Sequence, residues 1–242
     1  MADNIPTWWF SDAERAAVYR VIHTRRDIRS TFLPTPLPDE VLWRLLDAAA
    51  AAPSVGFMQP TEVVVVRDVE TRRRIQRHFE AANRAAAEVY TGDDRAAYDA
   101  LKLAAILDTP LNVVFLCDTT TVRGRGLGRQ TMPETAVFST VCAVQNFWLA
   151  ARAENVGVGW VSILEPAAVK SALSIPDHLT LVAYLCVGYV SDFPRQPELE
   201  TKGWENARAL TDMVHLDVYG HPLPPPTAIL GTASNDNAHQ HS

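Results

Sequence analysis

Three arginines and one aspartate stand within five consecutive residues near the start of the chain. Arg25, Arg26 and Arg29 flank Asp27 and Ile28. Guanidinium groups clustered in this way can hold a phosphate or a ligand carbonyl through forked hydrogen bonds. The alternative is a solvated helix end, because cations suit the negative end of a helix dipole. Taken alone, the run favours this second interpretation.

Two glycines stand in a short apolar strand later in the chain. Gly157 and Gly159 lead into Trp160, Val161 and Ser162. A strand glycine lets the backbone amides approach a flat ligand closely. The alternative is a strand that packs tightly against the long helix before it, and the sequence favours neither. Because Ser162 has no histidine near it in the sequence, a serine hydrolase is not indicated.

A third candidate segment is the loop of residues 53–60, which begins with Pro53, Ser54, Val55 and Gly56. Proline and glycine end the preceding helix and favour an irregular backbone. Main-chain groups in such a loop can come close to a ligand.

Patterns typical of other sites are missing from the sequence. The glycines at 124, 126 and 128 do not open a helix followed by a ribose-binding carboxylate, so the dinucleotide fingerprint is not met. The three cysteines are far apart and set among apolar residues, and the histidines lack ligand spacing. The sequence therefore predicts neither a metal site nor a disulfide framework.

Helical and strand patterns alternate along the chain. Ser11 and Asp39 can cap the first two helices. Further helices are predicted over 70–90, 94–107, 133–155 and 165–173, and strands over 63–66, 112–117, 156–163 and 179–190. This order favours a mixed α and β fold in which helices cover both faces of a sheet.

One large domain is predicted over residues 11–220, after an N-terminal extension of residues 1–10. Within it, the charged helices of residues 80–105 can form a mobile lid. Residues 221–242 are rich in proline and polar residues, so we expect a disordered tail.

Composition limits the partners and the compartment. The 22 basic and 28 acidic residues give a net charge of −6, which offers no general attraction to nucleic acid or to a membrane surface. No signal-peptide pattern and no apolar stretch of about 20 residues occurs. A cytoplasmic protein is therefore expected.

Four longer segments together resemble the flavin-dependent nitroreductase superfamily and, within it, the 5,6-dimethylbenzimidazole synthase family. The resemblance extends from about Ser11 to about Val214. It rests on TRRDIR at 24–29, APSVGFMQP at 52–60, STVCAVQNFWLAARAENVGVGWVSI at 139–163 and IPDH at 175–178. Ordinary nitroreductases usually carry a serine at the position of Asp27, whereas the synthase family carries aspartate there.

The resemblance implies a three-layer α/β/α sandwich of the α+β class, with a mixed, mostly antiparallel sheet. It further implies a homodimer with flavin mononucleotide (FMN) at the subunit interface. Asp27 and Ser162 are the implied catalytic pair. The residues implied to bind the cofactor are Arg25, Arg26, Asp27, Ile28, Arg29, Pro53, Ser54, Val55, Gly56, Gly159, Trp160, Ser162 and Lys202.

The implied reaction consumes the flavin. Reduced FMN and O2 are the substrates, a separate reductase supplies the reduced flavin, and the products are 5,6-dimethylbenzimidazole and erythrose 4-phosphate. Flanking arginines are expected to keep the Asp27 carboxylate ionised, so that it starts as a base. Two alternatives stay open: an NAD(P)H-dependent nitroreductase or flavin reductase, and a non-catalytic protein that binds or stores flavin.

Overall fold

The computed structural model describes residues 8–226. The chain divides into two compact units, Met1–Glu198 and Leu199–Ser242. The predicted domain limits fall elsewhere and stay predictions. The predicted N-terminal extension and disordered tail fall largely on residues 1–7 and 227–242, which lie outside the described residues.

A four-stranded sheet forms the centre of the first unit. Its strands are β1 (Thr61–Val66), β2 (Leu111–Asp118), β3 (Val156–Trp160) and β4 (Leu179–Tyr189). They lie in the order β1-β2-β4-β3, and every neighbouring pair is antiparallel. At the outer edge of β3, Asp27 forms a single parallel bridge with Val158. This confirms the mixed, mostly antiparallel sheet.

Helices cover both faces of this sheet. The helices of the first unit are α1 (Asp12–Thr24), α2 (Asp39–Ala50), α3 (Val69–Ala87), α4 (Gly92–Asp99), α5 (Thr135–Ala153) and α6 (Pro166–Ala172). Val113 and Phe115 of β2 pack with α2 and α5, whereas Val114 and Leu116 pack with α3 and α6. Successive side chains of a strand point to opposite faces, so β2 is apolar throughout because both of its faces are covered. The three-layer α/β/α fold is confirmed.

Two short elements bring the chain into the second unit. A one-turn helix, α7, spans Glu198–Thr201, and a 3-10 turn spans Leu210–Asp212. Within this unit the Leu223 N–H donates to the Val214 carbonyl at 3.2 Å.

The helix predicted over 94–107 is wrong in its second half, because α4 ends at Asp99. The guanidinium group of the buried Arg72 donates to the carbonyls of Ile106 and Thr109. These carbonyls are therefore satisfied by a side chain from α3 rather than by a helix, while Ile106 is buried in the core.

Helix α1 differs from the others in its burial. Ser11 and Glu14 form the predicted capping box at its start. However, none of its 13 residues is buried within the described part of the chain, and Val18, Tyr19 and Ile22 of its apolar face are exposed. Among residues 8–226, no helix has the length and apolar character that crossing a membrane requires.

Candidate functional site

The arginine segment, residues 24–29, follows α1 and lies between α5 and the edge of β3. The Arg152 side chain of α5 donates to the Thr24 carbonyl at 3.2 Å, and the Trp148 indole N–H donates to the Arg26 carbonyl at 3.3 Å. On the other side, the Ile28 N–H donates to the Val158 carbonyl at 3.0 Å. The backbone of the segment is thus fixed from two directions.

Asp27 is held at both carboxylate oxygens. Its Oδ1 accepts the Trp160 backbone N–H at 2.9 Å, and its Oδ2 forms an ion pair with Arg29. The side chain keeps 29% exposure, so a ligand or solvent can still reach it. Burial raises the pKa of Asp27, and this effect is larger than the opposing effects of Arg29, the Trp160 N–H and Arg25. The arginines act in the expected direction, but burial outweighs them.

Glycine at 159 is required by the approach of the arginine segment. A Cβ at this position would lie 2.1 Å from the Ile28 carbonyl oxygen, and one at Gly157 would lie 2.3 Å from Val190 Cγ1. Both glycines therefore leave room for neighbouring parts of the chain. The two sequence interpretations named a flat ligand and the preceding helix, and neither named these neighbours. Ile28 as a whole is buried, at 2% exposure, so its predicted contact with the cofactor stays a prediction.

The three arginines differ in their surroundings. Arg26 donates to the carbonyls of His23 at 2.9 Å and Arg25 at 2.7 Å, and also to that of Arg195. Arg25 lies over the Trp148 ring, 4.6 Å from its centroid, and burial lowers its pKa. The Nε atoms of Arg26 and Arg29 are both buried, and neither has a hydrogen-bond acceptor in the described chain. Buried cationic donors without acceptors fit a flavin phosphate or ring carbonyl.

Ser162 follows the strand edge at which Asp27 is held. It is exposed and follows the end of β3, two residues after the Trp160 amide that binds Asp27, which is at most about 7 Å of extended chain. The structure therefore brings the predicted catalytic pair close together. Lys202 belongs to the second unit, and its role stays a prediction.

The proline loop, residues 53–60, rests on the beginning of α5. The Val55 N–H donates to Ser139 Oγ at 3.1 Å, and Ser54 Oγ accepts the Gln59 N–H at 2.8 Å. A cavity of about 350 Å³ opens beside Pro53 and Ser54. Its lining is mostly apolar, with Trp43, Leu46 and Ala143 among the lining residues.

Within one chain, the arginine segment and the proline loop are far apart. The loop leads into β1, whereas Asp27 bridges to the outer edge of β3, so four strand spacings, or about 19 Å, separate them across the sheet. Along α5, their contacts Ser139 and Trp148 are nine positions apart, about 13 Å. The residues predicted to hold one cofactor therefore form two groups.

Sequence reasoning missed Trp148 and Arg152, which support the arginine segment. Both lie in the long apolar helix, where Trp148 looks like any core residue, and no local pattern marks it. Among residues 8–226, no three His, Cys, Asp or Glu side chains lie close enough together to hold a metal ion.

Comparison with known proteins places this site in a family. Residues 22–189 match the model of the Nitroreductase family. A 5,6-dimethylbenzimidazole synthase of Rhodospirillum rubrum is 41% identical over 199 residues, which cover 82% of this chain and 94% of that protein. A synthase of the same name from Rhodobacter capsulatus is 39% identical over 196 residues, covering 81% and 94%.

A solved structure, that of oxidized iodotyrosine deiodinase bound to FMN and 3-iodo-L-tyrosine, has the same fold. It aligns with a TM-score of 0.64 at 22% identity and covers 75% of this chain and 94% of that one. The resemblance inferred from the four sequence segments is confirmed: the chain belongs to the nitroreductase family and, within it, to the family of the 5,6-dimethylbenzimidazole synthases.

Proposed function

We propose that the chain takes reduced FMN as its substrate and fragments it with O2. The products are erythrose 4-phosphate, 5,6-dimethylbenzimidazole, which is the lower ligand of vitamin B12, and an oxidised remainder that carries the pyrimidine ring of the flavin. The names of its relatives support this reaction. The observation that carries the proposal is the position of Asp27, whose carboxylate lies between Arg29 and the Trp160 amide. A carboxylate at this position supplies a proton acceptor and donor that a serine would not.

Arg25 and Arg29 are proposed to hold the flavin phosphate and ring. Arg25 lies over Trp148, and Arg29 keeps a buried N–H donor without an acceptor in the described chain. Arg26 has a different role in this account, because its guanidinium group already bonds three backbone carbonyls. Arg26 therefore stabilises the backbone of the arginine segment, and only its buried Nε is left to donate a hydrogen bond to the flavin.

Asp27 is proposed to move protons during fragmentation. The electrons that reduce O2 come from the bound reduced flavin. The pKa of Asp27 is raised by burial, and a raised pKa lies closer to the working pH and suits transfer in both directions. Ser162, exposed just beyond β3, is proposed to orient the reacting group by one hydrogen bond and needs no activation as a nucleophile.

A homodimer is part of the proposal, because one chain holds the proline loop and the arginine segment at opposite edges of its sheet. A second copy can bring its loop to the first copy's arginines. Apolar side chains that such a contact would cover are exposed on α1 and α5, including Tyr19, Phe138 and Val141.

Residues 80–105 are proposed to form a lid that keeps water from the reaction. Tyr98 of α4 is buried, its hydroxyl donates to Asn83 Oδ1 of α3 at 2.7 Å, and its ring stacks on Tyr90. At the base of this region, Ile106 packs in the same core cluster as Val161, the neighbour of Ser162. The base of the proposed lid thus packs in the same core cluster as the residue that follows β3.

A separate flavin reductase is proposed to supply reduced FMN, since each turnover consumes the flavin and the next one must arrive reduced. The cytoplasmic location stays a prediction.

Aerobic incubation of the protein with FMN and a reductant, followed by mass analysis, tests this function. The proposal predicts loss of FMN and the appearance of 5,6-dimethylbenzimidazole. Intact FMN after many cycles of reduction would contradict it. Oxidation of NAD(P)H by the protein alone, with intact flavin, would instead indicate a reductase; flavin binding without either reaction would indicate a storage protein.

A further inference from the structure

A glycine segment, residues 123–128, packs backbone to backbone against the proline loop. A Cβ at Gly124 would lie 2.2 Å from the Gly56 carbonyl oxygen, and a Cβ at Gly56 would lie 2.5 Å from the Leu127 carbonyl oxygen. Contacts this close exclude any side chain at either glycine. The two segments therefore pack with no room for a side chain between Gly56 and Gly124.

Side chains extend this contact on both sides. Arg123 Nη2 donates to Gln59 Oε1 at 2.6 Å, and the Gln59 N–H in turn donates to Ser54 Oγ at 2.8 Å. Farther along, a Cβ at Gly128 would lie 2.6 Å from Val55 Cγ1. The glycine segment thus contacts the loop at its beginning, middle and end.

The loop needs such support because its backbone is strained. Phe57 and Gln59 have φ values of +52° and +46°, in the left-handed region that residues with a side chain rarely adopt. The Phe57 side chain is 73% exposed, so its own packing does little to hold this conformation. A strained backbone persists only where its surroundings fix it, and the glycine segment is the part of the surroundings in closest contact.

We propose that Arg123, Gly124 and Gly128 are positioning residues of the flavin site, which fix the shape of the proline loop before the flavin binds. This inference rests on the proposed function in one respect: the loop must contact the flavin. A preformed loop loses less conformational entropy on binding, so loosening it weakens affinity.

The matched pair Gly124→Ala and Gly126→Ala tests the proposal. Both glycines have positive φ, +67° and +73°, so an alanine strains the backbone similarly at each. A Cβ at Gly126, however, meets nothing closer than Arg129 Nε at 3.9 Å. The measurements are the Kd for oxidised FMN, from flavin fluorescence, and the amide exchange of residues 54–59 without flavin.

Gly124→Ala is expected to weaken FMN binding about tenfold or more and to speed exchange in the loop, whereas Gly126→Ala stays within about twofold of the wild type. Wild-type values for Gly124→Ala, or equal losses in both variants, would overturn the proposal.

Arg123→Met keeps the proposal testable if Gly124→Ala does not fold. It removes the bond to Gln59 and is expected to weaken FMN binding about threefold to fivefold, with partial rescue by Arg123→Lys. Within the described residues, the exposed Arg125 side chain makes no hydrogen bond or ion pair with the loop, so Arg125→Met is the control. An equal effect of both methionine variants would overturn the proposal.

Failure of the proposed function has a separate signature. A wild-type protein that binds FMN without fragmenting it would contradict the synthase reaction and leave the comparison of FMN affinities intact. If the wild type bound no FMN, the amide exchange of the loop would still decide whether the glycine segment holds it.

Discussion

The arginine segment and the proline loop are fixed in opposite ways. Side chains from α5 and a β-bridge to β3 hold the arginine segment, and its carboxylate is bonded at both oxygens. The loop is strained and partly exposed, and besides two side-chain hydrogen bonds it is held by close backbone contact with the glycine segment. The arginine segment is thus the preformed, charged half of the proposed site. The proline loop is the other half, and its shape depends on close packing against the glycine segment.

The largest expected effect comes from Asp27→Asn, which tests whether the charged half performs the chemistry. Because the amide cannot accept and return a proton, formation of 5,6-dimethylbenzimidazole should fall at least about 100-fold. Flavin affinity should change little, since the asparagine carbonyl can still accept the Trp160 N–H. Product formation is measured by mass analysis, with the exposed Asp39→Asn as the control. Full activity of Asp27→Asn would contradict the proposed role.

Gly159→Ala should detach the arginine segment from β3. The new Cβ would lie 2.1 Å from the Ile28 carbonyl oxygen, and overpacking of this kind lowers the free energy of unfolding by about 1–3 kcal/mol in addition to any loss of flavin binding. Urea denaturation measures the change. In the control Gly92→Ala, no atom lies within 4 Å of the new Cβ, so only backbone strain of about 1 kcal/mol is expected. Equal losses in the two variants would contradict the account.

Arg29→Met should shift the pH dependence of the reaction. Arg29 lowers the pKa of Asp27 against the larger effect of burial, so its removal raises that pKa further. If Asp27 starts as a base, the acidic limb of the kcat/KM profile moves to higher pH. Arg29→Lys should restore part of the shift, and Arg67→Met, which breaks an exposed ion pair, should leave the profile unchanged. A limb that stays in place or moves to lower pH would exclude the ionised carboxylate as the starting form.

Trp148 tests how far the arginine segment depends on side chains. Trp148→Phe removes the hydrogen bond to the Arg26 carbonyl and should lower the free energy of unfolding by about 1 kcal/mol. Trp148→Leu also removes the ring under Arg25, which adds about 0.5–1 kcal/mol. Urea denaturation compares the two variants. Equal stability would mean that the ring makes no net contribution.

The smallest effect is expected at the lid. Asn83→Ala removes the acceptor of the Tyr98 hydroxyl, and the loss of about 1 kcal/mol should raise the ratio of hydrogen peroxide to 5,6-dimethylbenzimidazole by up to about fivefold. Gln76→Ala, which loses only an exposed contact on the same helix, is the control. A ratio equal to that of the wild type would count against a lid.

Local patterns in the sequence predicted the elements, but contacts between distant residues decided the details. The β-branched runs of β1 and β2 and the apolar α5 lie within about two residues of their predicted limits, because each pattern records its own burial. The irregular chain after α4 was missed because the carbonyls of Ile106 and Thr109 accept from Arg72, which lies 34 and 37 positions earlier in the sequence. Local propensity contains no such information.

The candidate site divides in the same way. The arginines around Asp27, taken alone, favoured a solvated helix end, and only the family resemblance pointed to a flavin site; the structure joins Arg29 to Asp27 in an ion pair. The raised pKa of Asp27 could not be predicted, because it depends on burial against the edge of β3. The contact of Gly124 with Gly56 joins segments far apart in sequence, so the glycines of residues 124–128 had no evident purpose before the fold was known.

A single turnover tests the central claim most directly. Protein is mixed with an equal amount of reduced FMN, exposed to air and quenched, and the flavin and 5,6-dimethylbenzimidazole are quantified in the wild type and in Asp27→Asn. The account predicts one 5,6-dimethylbenzimidazole for each flavin lost in the wild type, and recovery of nearly all FMN, with hydrogen peroxide, in Asp27→Asn. Recovery of intact FMN from the wild type would contradict it.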